Sequence, residues 1–184
     1  MTDNLFVITG GPGSGKTSLL LELEKLGYRC APEVARQIIQ EQVHAQGEAL
    51  PWRDRRKYLE LMLGGSVESY EKHASTGITF FDRGIPDCLA YARLIGLQNH
   101  DFIRSVCERY RYAVGVFLAP PWREIYTTDT ERKQDFAEAE RTWHLLGEAY
   151  QELGYDLILL PKVSPAERAA FIVRHLSEIR PARA

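Results

Sequence analysis

A short glycine-rich segment, Gly10–Thr17, reads GGPGSGKT and leaves few folds open to this 184-residue chain. The run before it, Leu5–Thr9, is β-branched and aromatic, and the leucines after it recur on a helical period as far as Leu26. The local order is therefore strand, glycine loop, helix. A strand that runs directly into a helix favours a parallel sheet, because parallel strands need crossover connections.

The glycine-rich segment matches the pattern G-x-x-x-x-G-K-[ST] in the strand-to-helix setting that gives this pattern its meaning. Glycines let successive backbone N–H groups point inward, and the helix adds the positive end of its dipole, so the loop predicts a polyphosphate site. We expect Lys16 to reach the β- and γ-phosphates and the hydroxyl of Thr17 to bind Mg²⁺. A glycine-rich turn with a capping threonine is the alternative, and it leaves the lysine unexplained. The predicted nucleotide-binding residues are Gly10, Gly11, Pro12, Gly13, Ser14, Gly15, Lys16, Thr17 and Ser18.

The rest of the chain alternates between apolar runs and helical periods. A brief extended piece is predicted at Tyr28–Ala31 and an apolar strand at Ile78–Phe81. Buried strands are predicted at Ala113–Leu118 and Asp156–Leu160. Helices are predicted at 33–46, 52–74, 86–95, 101–111, 136–153 and after a capping box at 164–167. The pair Gly64-Gly65 weakens the second of these helices by about 1 kcal/mol for each glycine. This alternation indicates an α/β fold with a parallel sheet covered by helices on both faces.

Composition narrows the class of protein. The chain carries 23 Lys and Arg against 25 Asp and Glu, a net charge of −2, so it lacks the basic excess of a nucleic-acid-binding domain. The longest uncharged apolar stretch, Ala113–Trp122, is half the roughly 20 residues that a membrane helix needs. The first residues lack the basic start and cleavage site of a signal peptide. We therefore expect a single cytoplasmic domain over residues 1–184, without membrane or nucleic-acid partners.

The three cysteines, Cys30, Cys88 and Cys107, stand far apart in the sequence and form no C-x-x-C pair. We expect them to be small buried hydrophobic residues.

Asp82 is a second candidate site residue, because it follows a predicted buried strand in the sequence Phe80-Phe-Asp82-Arg-Gly84. The end of such a strand is where an open α/β sheet presents its ligand crevice. There a carboxylate binds Mg²⁺ or accepts a proton from an acceptor hydroxyl. The alternative is a cap for the helix near Pro86. For Arg83, a substrate contact and a surface ion pair are both open.

Glu33 and Arg36 follow the second predicted strand and are candidates for an acceptor site. A carboxylate accepts a hydrogen bond from a hydroxyl that is being phosphorylated, and a guanidinium binds an anionic group bidentately. The alternative is a first-turn glutamate with an arginine partner one turn later. The 52–70 helix, with its aromatics and Met62, either walls this site or is a core helix. A basic cluster at its start is expected to be a solvated face: Arg53, Arg55, Arg56 and Lys57.

Arg123, Arg132 and Lys133 lie in a polar segment after the fourth predicted strand. We expect them to form a lid over the triphosphate, with Arg132 neutralising charge as the phosphoryl group transfers. The same segment carries several acidic residues, so a solvated face is the alternative for these cations: Glu124, Asp129, Glu131 and Asp135.

Taken together, four stretches resemble a bacterial family of P-loop proteins known as AAA-type ATPase domains, within its kinase-like division. They are the glycine loop, Glu33-Val-Ala-Arg36, Asp82-Arg-Gly84 and Pro121–Arg132. The sequence is similar to the ribosylnicotinamide kinase domain and, more remotely, to deoxynucleoside and thymidylate kinases. The resemblance implies a three-layer fold with a five-stranded parallel sheet in the order 2-3-1-4-5. It also implies substrate contacts at Glu33 and at Asp82-Arg83.

The sequence thus predicts a kinase that transfers the γ-phosphoryl group of Mg²⁺–ATP to a nucleoside, a nucleotide or a related metabolite. The predicted catalytic residues are Lys16, Asp82, Glu33 and Arg132, with Thr17 and Asp82 on the metal and Arg36 and Arg83 on the substrate. The alternative is a nucleotide-dependent switch or ATPase whose output is binding to a macromolecular partner. The sequence has no N-K-x-D stretch, which disfavours a guanine-specific GTPase of the common type.

Overall fold

A five-stranded parallel sheet runs through the computed structural model, which describes residues 4–75, 77–126 and 135–179. The strands are β1 Leu5–Gly10, β2 Arg29–Ala31, β3 Thr79–Asp82, β4 Gly115–Ala119 and β5 Asp156–Leu159. Their order across the sheet is β2-β3-β1-β4-β5, which confirms the order that the family resemblance implies. Because β1 lies between β3 and β4 and all three strands are parallel, the segments that follow them lie next to one another at the carboxyl ends of the strands.

Helices connect the strands and cover both faces of the sheet, as the sequence predicts. They are α1 Lys16–Lys25, α2 Val34–His44, α3 Arg55–His73, α4 Pro86–Leu94, α5 Asp101–Arg109, α6 Phe136–Glu152 and α7 Pro165–Ile179. A short 3₁₀ helix, Arg123–Ile125, follows β4. The predicted capping box is confirmed, because the Ser164 N–H donates to the Glu167 carboxylate at 3.1 Å and the Glu167 N–H donates to Ser164 Oγ at 3.3 Å. None of the described helices is long and apolar enough to cross a bilayer.

The core lies on both sides of the sheet. Leu5 and Val7 of β1 face the layer that α2 to α6 form, whereas Phe6 and Ile8 face α1 and α7. Every residue of β1 is buried, because both faces of the strand are covered. This two-sided burial explains why strands of such a sheet are continuous apolar runs rather than alternating ones.

One expectation needs correction. The prediction of β5 as a buried strand is wrong, because it is an edge strand that pairs only with β4, and Leu159 is 57% exposed. The helix α3 runs through Gly64 and Gly65. A Cβ atom at Gly65 would lie 2.7 Å from Val34 Cγ1, so the missing side chain lets α2 and α3 pack closely.

The cysteines are free thiols, with Cys88 and Cys107 buried and Cys30 half-buried. Burial raises the pKa of Cys30 and of Cys107 to about 12. These thiols therefore stay protonated. Cys88 and Cys107 are buried as predicted, whereas Cys30 is only partly buried.

Candidate functional site

The glycine-rich segment bridges the end of β1 and the start of α1, in the predicted order. Gly10 has a φ of 148°, and a Cβ atom there would lie 2.5 Å from the carbonyl oxygen of Ala119 on the neighbouring strand. Gly15, at the N-cap of α1, has a φ of 79° in the left-handed region. Both positions therefore require glycine, which lets the loop turn tightly enough to begin the helix at once.

The ammonium of Lys16 lies within the curve of this loop. Its side chain is buried, and Nζ donates to the carbonyl oxygens of Gly10 at 3.1 Å and Gly11 at 3.2 Å. Ser14 is also buried and donates from Oγ to the Gly11 carbonyl at 2.9 Å. The loop thus holds a positive charge where the sequence predicts phosphate, while Thr17 is exposed in the first turn of α1.

Asp82 ends β3 beside Ile8 of β1 and is only 6% exposed. Burial raises the pKa of its carboxyl to about 6, although the nearby charge of Lys16 acts in the opposite direction. Its Oδ1 atom is buried and accepts no hydrogen bond from the described residues. The capping alternative is wrong, because Ile85 occupies the N-cap of α4.

An orphaned carboxylate oxygen next to a phosphate loop fits a hard cation. Mg²⁺ prefers oxygen ligands and often takes only one or two from the protein. Asp82 supplies such an oxygen, and Thr17 supplies a hydroxyl at the start of α1. The residues present therefore suit Mg²⁺, and a bound cation would satisfy the buried oxygen.

Arg83 joins the ends of β2 and β3. Its Nε donates to Glu33 Oε1 at 2.7 Å, and its Nη1 donates to Asp87 Oδ1 at 3.1 Å. Burial disfavours the guanidinium charge, but the carboxylates of Glu33 and Asp87 outweigh it and raise the pKa of Arg83. The backbone of Arg83 has a φ of 71°, which is uncommon for any residue except glycine. Arg83 is thus a fixed, partly buried cation in a network of ion pairs.

Asp87 holds this arrangement together, and sequence reasoning missed it. Besides Arg83, it accepts hydrogen bonds from Thr9 Oγ1 at 2.8 Å, the Gly84 N–H at 3.0 Å and the Tyr150 hydroxyl at 2.6 Å. These bonds tie β1, the β3 end and α6 to one buried carboxylate. The available signal was an aspartate in the first turn of a helix whose other buried residues are all apolar.

Replacing Asp87 with asparagine is expected to lower the free energy of unfolding by about 3 kcal/mol. Each carboxylate oxygen accepts two hydrogen bonds, so either orientation of the amide places its NH₂ group against donors. Urea denaturation would measure the loss. Asp156→Asn, at an exposed position of β5, is the matched control. An unchanged midpoint for Asp87→Asn would show that the network contributes little to stability.

A cavity of about 470 Å³ lies between α2, α3, α4 and α6 and reaches Pro12 of the phosphate loop. Glu33, Arg36 and Arg83, the three predicted acceptor residues, all line it. The aromatic and sulfur-containing part of its wall comes from four side chains: Trp52, Tyr58, Met62 and Tyr91. The start of α3 thus serves both the core and the cavity. Arg55 is exposed, as expected, and it also lines the cavity.

Arg168 of α7 supports the phosphate loop from a distant part of the sequence. It is 2% exposed, and its Nη1 donates to the Ser14 carbonyl at 2.8 Å while its Nε donates to the Pro161 carbonyl at 2.7 Å. Its guanidinium lies 4.9 Å from the centre of the Trp122 ring. The signal in the sequence was an arginine four residues before the buried Ile172.

The predicted lid lies only partly within the described residues. Arg123 belongs to the 3₁₀ helix, and its guanidinium lies 4.1 Å from the centre of the Phe136 ring. A Cβ atom at Gly13 would lie 2.6 Å from Cδ2 of Tyr126, so the residues after β4 contact the phosphate loop. Arg132 and Lys133 lie outside the described residues.

Comparison with known proteins identifies relatives of this fold. Residues 5–168 match the AAA domain family. No curated protein matches the sequence. The crystal structure of a NadR protein in complex with NR is 17% identical, with a TM-score of 0.73 over 99% of this chain and 52% of that one. This chain therefore spans about half the length of that protein.

Two shorter relatives match over nearly their whole length. Thymidylate kinase from Ehrlichia chaffeensis is 16% identical, with a TM-score of 0.62 over 96% of this chain and 100% of that one. Deoxyadenosine kinase from M. mycoides with bound dATP is 15% identical, with a TM-score of 0.58 over 95% of this chain and 99% of that one. These similarities show a kinase-like P-loop fold.

Proposed function

The chain belongs to the AAA domain family, and from this premise we propose that it is a small-molecule kinase that uses Mg²⁺–ATP. The observation that carries the proposal is the cavity beside the phosphate loop, with a glutamate in its wall. Phosphoryl transfer requires an acceptor held next to the γ-phosphate, and the cavity offers such a place.

The phosphate loop supplies the donor side of the proposed reaction. Its inward backbone N–H groups and the ammonium of Lys16 bind the polyphosphate, and Arg168 fixes the loop through the Ser14 carbonyl. Thr17 and Asp82 would hold Mg²⁺, which when bound neutralises charge on the β- and γ-phosphates. Arg123, with Arg132 and Lys133 beyond the described part of the segment, belongs to the proposed lid.

Glu33 supplies the acceptor side. Its ion pair with Arg83 fixes the orientation of the carboxylate at the wall of the cavity. There it accepts a hydrogen bond from the acceptor hydroxyl and takes the proton as the new oxygen–phosphorus bond forms. The bond between the γ-phosphorus and the β,γ-bridging oxygen breaks, and ADP is the leaving group. Arg36 lines the same cavity as a further substrate contact.

A coupled assay for ADP release tests the proposed function. The protein and Mg²⁺–ATP are incubated with nucleosides, nucleotides and other hydroxyl-bearing metabolites, one at a time. A kinase releases ADP slowly alone and at least tenfold faster with its acceptor, and phosphorylated product appears in equal amount. Rapid ADP release without an acceptor, or stimulation only by a macromolecule, would instead favour the switch or ATPase.

Glu33→Gln is expected to reduce phosphoryl transfer by about 10²–10⁴-fold, because the amide cannot take the acceptor proton. The affinity for Mg²⁺–ATP should change less than threefold, since Glu33 lies on the acceptor side. Calorimetry with a non-hydrolysable ATP analogue and the coupled assay separate the two effects. Glu41→Gln, at an exposed position of α2, is the matched control. Equal losses of transfer and of ATP affinity would refute this division of roles.

A further inference from the structure

Arg168 of α7 connects the segments that follow three strands of the sheet. Its Nη1 donates to the Ser14 carbonyl at 2.8 Å, in the phosphate loop after β1, and its Nε donates to the Pro161 carbonyl at 2.7 Å, after β5. Its guanidinium lies 4.9 Å from the centre of the Trp122 ring, after β4. Two hydrogen bonds and one aromatic ring therefore hold this guanidinium in a single place.

The guanidinium of Arg168 is buried without a counter-charge. Arg168 is 2% exposed and forms no ion pair with a carboxylate of residues 4–75, 77–126 and 135–179. Within these ranges its Nη2 atom is buried and has no hydrogen-bond acceptor. Arginine is seldom buried unless it is paired, because an unpaired charge is costly to remove from water. A tether between two carbonyl groups needs only a neutral donor, so the tether alone does not account for the charge.

The bond to Ser14 also fixes the direction of the next N–H group. The described peptide bonds are all trans, and in a trans peptide unit the C=O and N–H groups point in opposite directions. Because the Ser14 carbonyl points to Arg168, the Gly15 N–H points away from it. Gly15 is partly exposed, and its N–H donates to no group in the described part of the chain. An accessible N–H of this kind is a donor for a phosphate oxygen.

Gly15 needs such support because its backbone turns easily. Its φ of 79° lies in the left-handed region, and glycine adopts positive and negative φ about equally well. A rotation of the Ser14–Gly15 peptide would turn a carbonyl oxygen toward the phosphates in place of the N–H. A Cβ atom at Gly15 would lie 3.3 Å from Nη1 of Arg168, so the guanidinium packs directly against this peptide unit.

From these observations we infer that Arg168 is a positioning residue for the donor phosphates. Its hydrogen bond to Ser14 keeps the Gly15 N–H directed at the phosphate site, and its charge acts on the bound polyphosphate across one peptide unit. The polyphosphate in turn supplies the counter-charge that the buried guanidinium lacks. This inference rests on the donor site of the proposed function and is independent of the acceptor.

Calorimetry with Mg²⁺ and inorganic triphosphate tests the inference, because this probe fills the phosphate loop without a base or a ribose. Arg168→Gln keeps a neutral donor and removes the charge, whereas Arg168→Lys keeps the charge and loses the planar fork. Arg174→Gln, at an exposed position of α7, is the matched control. Urea denaturation shows whether each variant is folded.

We expect the Kd for Mg²⁺–triphosphate to rise at least tenfold in Arg168→Gln, at least threefold in Arg168→Lys and less than twofold in Arg174→Gln. An unchanged Kd in folded Arg168→Gln would overturn the inference. If that variant does not fold, an unchanged Kd in Arg168→Lys would do so. A loss of affinity for a non-hydrolysable ATP analogue but not for inorganic triphosphate would also overturn it, since Arg168 would then act on the nucleoside.

The ¹H–¹⁵N signal of Gly15 reports the direction of its N–H group, which a purely structural role of Arg168 would not change. Saturation of the wild type with Mg²⁺–triphosphate should move this signal downfield, because the N–H then donates to a charged oxygen. In both Arg168 variants the shift at saturation should be less than half as large. Gly27, at the far end of α1, is the internal control. A full shift of the Gly15 signal in either variant would contradict the inferred role.

Failure of the proposed kinase and failure of this inference give different results. A wild-type protein that does not bind inorganic triphosphate would remove the donor site and, with it, the role of Arg168. Triphosphate binding that is insensitive to Arg168 would remove that role alone. Binding that depends on Arg168, in a protein that phosphorylates no acceptor, would remove the kinase and keep the role.

Discussion

Lys16→Met is expected to reduce phosphoryl transfer by about 10²–10³-fold in a protein that remains folded. The ammonium of Lys16 is the positive charge that the loop places against the triphosphate. The other groups that the loop offers to the phosphates are neutral backbone N–H groups. In the structure this ammonium is buried and donates to the Gly10 and Gly11 carbonyls, so it lies within the phosphate loop. Methionine keeps the length of the side chain and removes its charge.

Two measurements on Lys16→Met separate binding from stability. Calorimetry with Mg²⁺–ATP should show a large loss of affinity, and urea denaturation should show a loss near 1 kcal/mol from the hydrogen bonds to the loop carbonyls. Lys25→Met, at the exposed end of α1 where Lys25 pairs with Glu22, is the control. Unchanged affinity and turnover in a folded Lys16→Met protein would remove the phosphate-loop assignment.

The parts of the fold that the sequence predicted are those set by local patterns. β-Branched residues predict the strand that begins at Leu5, glycines predict the loop, and regularly spaced leucines predict the helix that ends at Lys25. All three signals lie within one short stretch of sequence. The alternation of strands and helices then requires a parallel sheet. The sheet order came from the family resemblance, because periodicity alone does not say which strands are neighbours.

The supporting contacts of the site were missed because they join distant parts of the chain. Asp87 meets Thr9 and Tyr150, and Arg168 meets Ser14, so their partners are known only once the sheet is assembled. The exposure of Arg55 was expected from its charged neighbours, but its place in a cavity wall depends on helices from other parts of the chain. Likewise, the sequence of β5 is apolar and predicts a buried strand, but the strand is exposed because it lies at the edge of the sheet.

Asp82→Asn is expected to abolish the Mg²⁺ dependence of activity while some nucleotide binding remains. The amide preserves the shape of the side chain and removes the negative charge that would attract the cation. Turnover and nucleotide affinity are measured as Mg²⁺ is titrated. Asp156→Asn is again the control. A wild-type response to Mg²⁺ would show that Asp82 has a structural role only.

The same substitution should stabilise the metal-free protein above neutral pH. Burial raises the pKa of Asp82 from its ordinary value of 3.8 to about 6 in the folded state. A raised pKa means that the folded state disfavours the carboxylate. Below the unfolded pKa the group is protonated in both states and carries no penalty. As pH rises through the folded pKa the penalty reaches its full value of about 3 kcal/mol, since one pKa unit corresponds to about 1.4 kcal/mol.

Urea denaturation in EDTA at pH 4 and pH 8 tests the sign of this effect. Asp82→Asn should be more stable than the wild type at pH 8, by up to about 3 kcal/mol, and nearly equal to it at pH 4. Added Mg²⁺ should stabilise the wild type and not the variant, because ligand binding to the native state alone raises its stability. A wild-type protein as stable as the variant at pH 8 would mean that burial of this carboxylate carries no penalty. A variant that is more stable at pH 8 and no longer responds to Mg²⁺ would show two things about the charge of Asp82. Its burial lowers the stability of the protein, and the charge is required to bind the cation.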